Sequence, residues 1–71
     1  AWVELIEILE RLIALGPDVI GWDELRELYA KVGRIQGEFL MASDAAILAW
    51  HKVIELAPGD MEALRALEEL Y

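Results

Sequence analysis

The chain has 71 residues, 58% of them hydrophobic, with 14 acidic against 6 basic side chains, no cysteine and one histidine. This length holds a single small domain, residues 1–71, and its composition excludes disulfide frameworks, thiol chemistry and zinc fingers. The net charge of −8 opposes phosphate backbones, so nucleic acid is not an expected partner. The longest apolar run, Ala45 to Trp50, has six residues against the roughly 18 to 20 of a membrane span, so no membrane partner is expected either. No basic start leads into an apolar stretch, which argues against a signal peptide. Absence of cysteine fits a reducing interior, and the expected location is cytoplasmic.

Taken in chain order, the first segment repeats Trp2, Leu5, Ile6, Leu9, Leu12 and Ile13 at three- and four-residue steps, with Glu4, Glu7, Glu10 and Arg11 opposite. That spacing predicts an amphipathic helix of about four turns. It closes at Leu15-Gly16-Pro17-Asp18, where Gly16 is suited to a left-handed cap and Pro17 cannot extend the hydrogen-bond ladder. The second segment carries Trp22, Leu25, Leu28, Tyr29, Val32, Ile35, Gln36 and Phe39 on one stripe, and either Asp18 or Gly21 marks its entry. Gly33 and Gly37 lie inside this helix, where each costs about 1 kcal/mol relative to Ala. Their presence predicts close approach by a neighbouring helix.

A softer break at Met41-Ala42-Ser43 makes Ser43 the expected N-cap of a third helix, with Asp44 at its positive end. This helix is expected to bury Ala46, Ile47, Trp50, Val53 and Ile54. Pro58-Gly59 forces the next turn, and Asp60 caps a fourth helix that turns Met61, Leu64, Leu67, Leu70 and Tyr71 inward. The apolar periods are near 3.6 throughout and never 2, so no strand is expected. Short connections between helices imply antiparallel neighbours, and the fold class is all-α, with stacked helical hairpins built from four helices.

The chain repeats itself. Leu12-Ile13-Ala14-Leu15-Gly16-Pro17 is echoed by Val53-Ile54-Glu55-Leu56-Ala57-Pro58, and Leu25-Arg26-Glu27-Leu28-Tyr29 by Leu67-Glu68-Glu69-Leu70-Tyr71, at offsets of 41 and 42 residues. A helix–Pro–helix unit therefore occurs twice. These residues resemble the tetratricopeptide repeat family. Tyr29 takes its first large slot, Val32 its Leu slot and Gly33 its Gly slot. Ala46 and Trp50 take the small and aromatic slots, Pro58 closes the unit, and a second unit opens with Leu64 and Leu67 in the corresponding slots and reaches Tyr71 in the Tyr slot. The segment Trp2 to Leu15 looks like the second helix of a preceding unit. Gln36 departs from the family's Tyr, Glu68 from its Gly, and the Gly33 to Ala46 interval is one residue longer than usual.

Catalytic, metal and cofactor chemistry find no constellation here. His51 is the one side chain that titrates near neutrality, yet it falls beside Lys52 on the outer side of its helix with no nucleophile near it. Glu4, Glu7 and Glu10 read as a solvated face. Trp2, Trp22 and Trp50 all sit on apolar stripes, and core packing is their expected role, with Trp2 the candidate exception. Phe39, Leu40 and Met41 form an apolar cluster that is either buried in the hairpin turn or a small exposed patch.

The resemblance implies a non-enzymatic protein-interaction scaffold, a fragment of an α-solenoid that binds a protein or peptide on a concave surface. The matching positions are around Ala30, Arg34, Gly37 and Glu38, then Arg65 and Glu69. The Lys and Asn with which some family members grip a terminal carboxylate are missing from them. The candidate partner-binding residues are Lys31, Arg34 and Arg65, suited to an acidic segment, and Trp2 and Tyr71 at the terminal helices. The alternative is a structural, self-assembling or engineered unit that pairs with identical copies as a homo-oligomer through those terminal helices.

Overall fold

The computed structural model describes all 71 residues, Ala1–Tyr71. It contains five helices and no strand: α1 (Trp2–Ala14), α2 (Pro17–Ile20), α3 (Trp22–Glu38), α4 (Ser43–Leu56) and α5 (Met61–Leu70). The all-helical expectation holds, and α2 is the helix that the sequence reading lacked. Two glycines create it. Gly16 and Gly21 adopt φ of +81° and +83°, conformations that L side chains avoid, so the chain breaks twice within five residues. Between the breaks, Pro17 starts a single turn, at a position where its missing N–H leaves nothing unpaired. The Gly21 N–H then closes that turn on the Pro17 carbonyl at 2.9 Å, and Gly21 becomes the N-cap of α3.

The central unit is the α3–α4 hairpin. Gly37 faces Ala46 and Gly33 faces Trp50, a register in which one helix of the hairpin runs back along the other. A Cβ placed on Gly33 would lie 2.8 Å from both Cε2 and Nε1 of the Trp50 indole. The helix-interior glycine therefore makes room for a buried tryptophan, which is the close approach that its position predicts. Gly37 is less demanding, since a Cβ there would meet the Ala46 methyl at 3.6 Å.

Two apolar clusters extend from this hairpin. In one, Ile6 and Leu9 of α1 pack with Val32 and Ile35 of α3 and Ala49 of α4, with Ile13, Leu28 and Leu40 at its edge. In the other, Trp50 and Val53 of α4 pack with Ala30 of α3 and with Ala63 and Leu67 of α5, with Ile47, Ile54 and Leu70 beside them. The positions correspond across the repeat: Ile6, Leu9 and Ile13 turn toward α3 as Ile47, Trp50 and Ile54, each 41 residues later, turn toward α5. The Cα envelope measures 32 × 31 × 13 Å, and its thin dimension is about the depth of two helices packed 8–10 Å apart. No helix is long and apolar enough to cross a membrane.

Asp60 caps α5 as expected, its Oδ1 accepting from the Ala63 N–H at 3.0 Å. Its other oxygen accepts from Arg26 of α3 at 3.1 Å, so one carboxylate starts a helix and ties it to another. Ala57–Asp60 forms the turn before it, closed by the Asp60 N–H on the Ala57 carbonyl at 3.0 Å.

Several local expectations fail. Ala42, not Ser43, is the N-cap of α4, with no side-chain cap bond, because Met41 at φ +53° completes the chain reversal one residue early. Trp22 lies on the α3 stripe but is 62% exposed, as it precedes the stretch of α3 that α4 covers. On α1, Trp2, Leu5 and Leu12 are exposed. On α5, Met61 and Leu64 are exposed, as is Tyr71 at its C-cap, because only one side of each outer helix has a neighbour. The Phe39–Met41 cluster splits: Leu40 packs against the α1 cluster, Met41 faces solvent, and Phe39 stacks on Trp2 with ring centroids 4.2 Å apart.

Candidate interaction surface

Two clefts flank α3. The first lies between α3 and α5 and encloses about 360 Å³, within the range of small-molecule and side-chain pockets. Gly33 and Gly37 keep its α3 wall low, Trp50 forms its floor, and Arg65, Ala66, Glu69 and Leu70 form the α5 wall. Arg34 and Glu62 close one side as an ion pair, with Nη1 donating to the carboxylate at 2.6 Å. The second cleft, about 350 Å³, lies between α1 and α3 and is lined by Leu5, Leu9, Lys31, Arg34, Ile35, Glu38 and Phe39. Arg34 and Glu38 line both, so one ridge of α3 separates them.

The structure brings Arg34 and Arg65 to the first cleft and Lys31 with Arg34 to the second. Arg65 and Lys31 have no carboxylate within ion-pair distance, whereas Arg34 is held by Glu62. Five positions named from the sequence, Arg34, Gly37, Glu38, Arg65 and Glu69, meet in the first cleft, while Ala30 is buried beneath it. Trp2 and Tyr71 lie elsewhere. Trp2 is engaged by Phe39, and Tyr71, 80% exposed, places its hydroxyl 3.0 Å from His51 Nε2. His51 is exposed, as expected from its helical position.

Sequence reasoning missed three parts of this surface: the Trp50 floor, the Glu62 partner of Arg34, and the Arg26–Asp60 tie beside it. The two ion pairs join residues 28 and 34 positions apart, and no local pattern announces a pairing made only when α5 docks beside α3. The Trp50 floor was more accessible, because Gly33 signals a missing wall. No three His, Asp or Glu side chains gather in an arrangement that would hold a metal ion.

Compared with known proteins, the chain matches no family model, no curated protein and no solved structure.

Proposed function

We propose that this chain is a non-enzymatic protein-interaction module of tetratricopeptide-like hairpins that holds a peptide segment in the cleft between α3 and α5. The observation that carries the reading is the meeting of Arg34, Gly37, Glu38, Arg65 and Glu69 in that cleft, since these are the positions that the resemblance assigns to the concave surface. The corresponding packing of α1 on α3 and of α4 on α5, 41 residues apart, supports the repeat on which the resemblance rests.

The cleft's chemistry defines its ligand. Its floor is the edge of the Trp50 indole beside Gly33, with Gly37 keeping the wall low, which suits an apolar side chain and close backbone approach. Arg65 is a cation without an intramolecular partner, so an acidic side chain of the peptide is its complement. Arg34 orients Glu62 and shapes the wall, so its own charge is largely spent inside the molecule.

Titrating a panel of acidic and neutral peptides into isotope-labelled protein tests this. Backbone shifts are expected to cluster on Gly33, Arg34, Gly37 and Arg65, and Arg65→Glu is expected to weaken the best acidic ligand by about tenfold. Shifts confined to the Glu4 face of α1 or to His51 overturn the reading.

A further inference from the structure

We infer that the Trp50 indole N–H is a ligand-binding donor: in the cleft between α3 and α5 it donates to a main-chain carbonyl of the bound peptide, which therefore lies extended rather than helical. This rests on the cleft reading above and names the group by which the floor of the cleft recognises its ligand.

An indole carries one polar atom, a donor that cannot accept, and in a buried ring that donor normally finds a partner. Trp50 is 3% exposed, yet no oxygen of the protein accepts from its Nε1. Nor is the atom sealed in the core. The side-chain polar atom that is wholly enclosed without a partner is Gln36 Oε1, so Trp50 Nε1 keeps an opening, and the cleft that the ring floors supplies it. Gly33 holds that opening clear. A Cβ on it would lie 2.8 Å from Nε1, so any other residue would set its side chain against the donor. The result is a fixed N–H at the floor, on a ring held in the cluster of Val53, Ala63 and Leu67.

The surrounding charge selects the acceptor. Arg34 and Arg65 share the cleft with Glu38, Glu62 and Glu69. A carboxylate brought to the floor would exchange water for one neutral donor in a cleft of three like charges, a cost that a single N–H does not offset. An amide carbonyl meets the donor without that cost. The ligand's acidic side chain belongs at the wall, beside Arg65, which has no carboxylate partner. Carbonyls inside a helix are committed to N–H groups of the same helix. A carbonyl free to accept at the floor thus belongs to an extended segment, and Gly33 and Gly37 let its main chain come close.

Nuclear magnetic resonance of the full chain tests this, first without ligand. The Trp50 indole N–H is expected to exchange with solvent well ahead of the core amides of α4, and protection at their level overturns the inference. On titration with N-acetylated, C-amidated Asp-Leu-Asp-Leu-Asp, the indole proton is expected to move downfield together with the Gly37 and Arg65 backbone signals. Transferred Overhauser contacts within the peptide are expected to be those of an extended chain. Trp50→benzothienylalanine, introduced by chemical synthesis, replaces the N–H by sulfur in a ring of similar shape and is expected to weaken binding about threefold to tenfold. The Asn-Leu-Asn-Leu-Asn peptide should lose the same factor, because a main-chain contact ignores ligand charge, whereas Arg65→Gln should weaken the Asp peptide alone. If the sulfur ring lowers helicity in circular dichroism, the indole proton of the natural chain decides. Cleft shifts with an unmoved indole proton, an unchanged affinity in a folded sulfur variant, or a helical bound peptide overturn this inference and leave the cleft reading standing. Shifts away from the cleft, or none, overturn both.

Discussion

The Gly33–Trp50 contact permits a paired substitution in which helix propensity cancels. Gly33→Ala and Gly37→Ala both replace an interior glycine of α3, so each gains about 0.8–1 kcal/mol of intrinsic helix stability. They differ in what the new methyl meets. At Gly37 it reaches the Ala46 Cβ at 3.6 Å, ordinary van der Waals contact, and at Gly33 it lands 2.8 Å from two indole atoms and 3.1 Å from a third. The indole has nowhere simple to go, being 3% exposed and packed in the cluster that holds Val53, Ala63 and Leu67. Forcing a methyl into a filled core costs about 1–3 kcal/mol. Gly37→Ala should therefore stabilise the fold by up to about 1 kcal/mol, while Gly33→Ala is neutral to destabilising by about 2 kcal/mol once propensity is subtracted. For a domain of this size each kcal/mol moves Tm by about 4–8 °C, so a difference of about 1–3 kcal/mol should separate the two variants by roughly 4–24 °C in far-ultraviolet melts. A double-mutant cycle with Trp50→Leu, which removes both atoms at 2.8 Å, should show coupling of about 1 kcal/mol or more in the relieving direction. Equal stabilisation by the two alanines would falsify the claim that Gly33 is a seat for Trp50.

Three further substitutions probe the elements that position the cleft. Asp60→Ala removes the α5 cap and the Arg26 partner together and should cost about 1–3 kcal/mol in urea unfolding, whereas Asp60→Asn, which keeps a capping oxygen, should lose less than about 1 kcal/mol; equal losses would show the ion pair, not the cap, to be dominant. Met41 holds a left-handed φ of +53° while 78% exposed, so Met41→Gly should gain about 0.5–1 kcal/mol, strain relief exceeding the entropy that glycine adds to the unfolded chain, and a lower urea midpoint would refute the strained turn. Gln36 buries its Oε1 without a hydrogen-bond partner, and Gln36→Met, similar in length and free of the orphaned acceptor, should raise stability by about 1 kcal/mol in the same assay.

Periodicity made the three long helices and α5 legible, because each has a continuous apolar stripe that packs on its neighbours. It also located Trp50, Val53 and the Asp60 cap. It misjudged Trp22, Leu64 and Tyr71, since a stripe records which side of a helix is apolar and not how far along it the neighbour extends. The α2 turn was hidden for another reason. Gly16 and Gly21 were each recognisable as breaks, but only their joint use, with Pro17 at a permitted helix start, separates one helix entry into two. The cleft was half legible. Its α3 and α5 positions follow from the repeat, whereas the Arg34–Glu62 pair depends on how two helices slide past each other, which is set by packing around Ala30 and Ala63.

The repeat is more regular in its packing than in its residues. At the 41-residue offset, Leu9 and Trp50 are both buried against the following first helix, yet Ile8 and Ala49, or Leu5 and Ala46, differ greatly in size. The difference follows from what lies opposite. Ala46 and Ala49 sit on helix α4, whose Trp50 indole already fills the gap that Gly33 opens in α3, so small residues are required around it. Leu9, in the slot of Trp50, fills less volume, and the neighbouring slots on α1 are correspondingly larger. The size of each slot is thus set by what lies opposite it rather than by its place in the repeat.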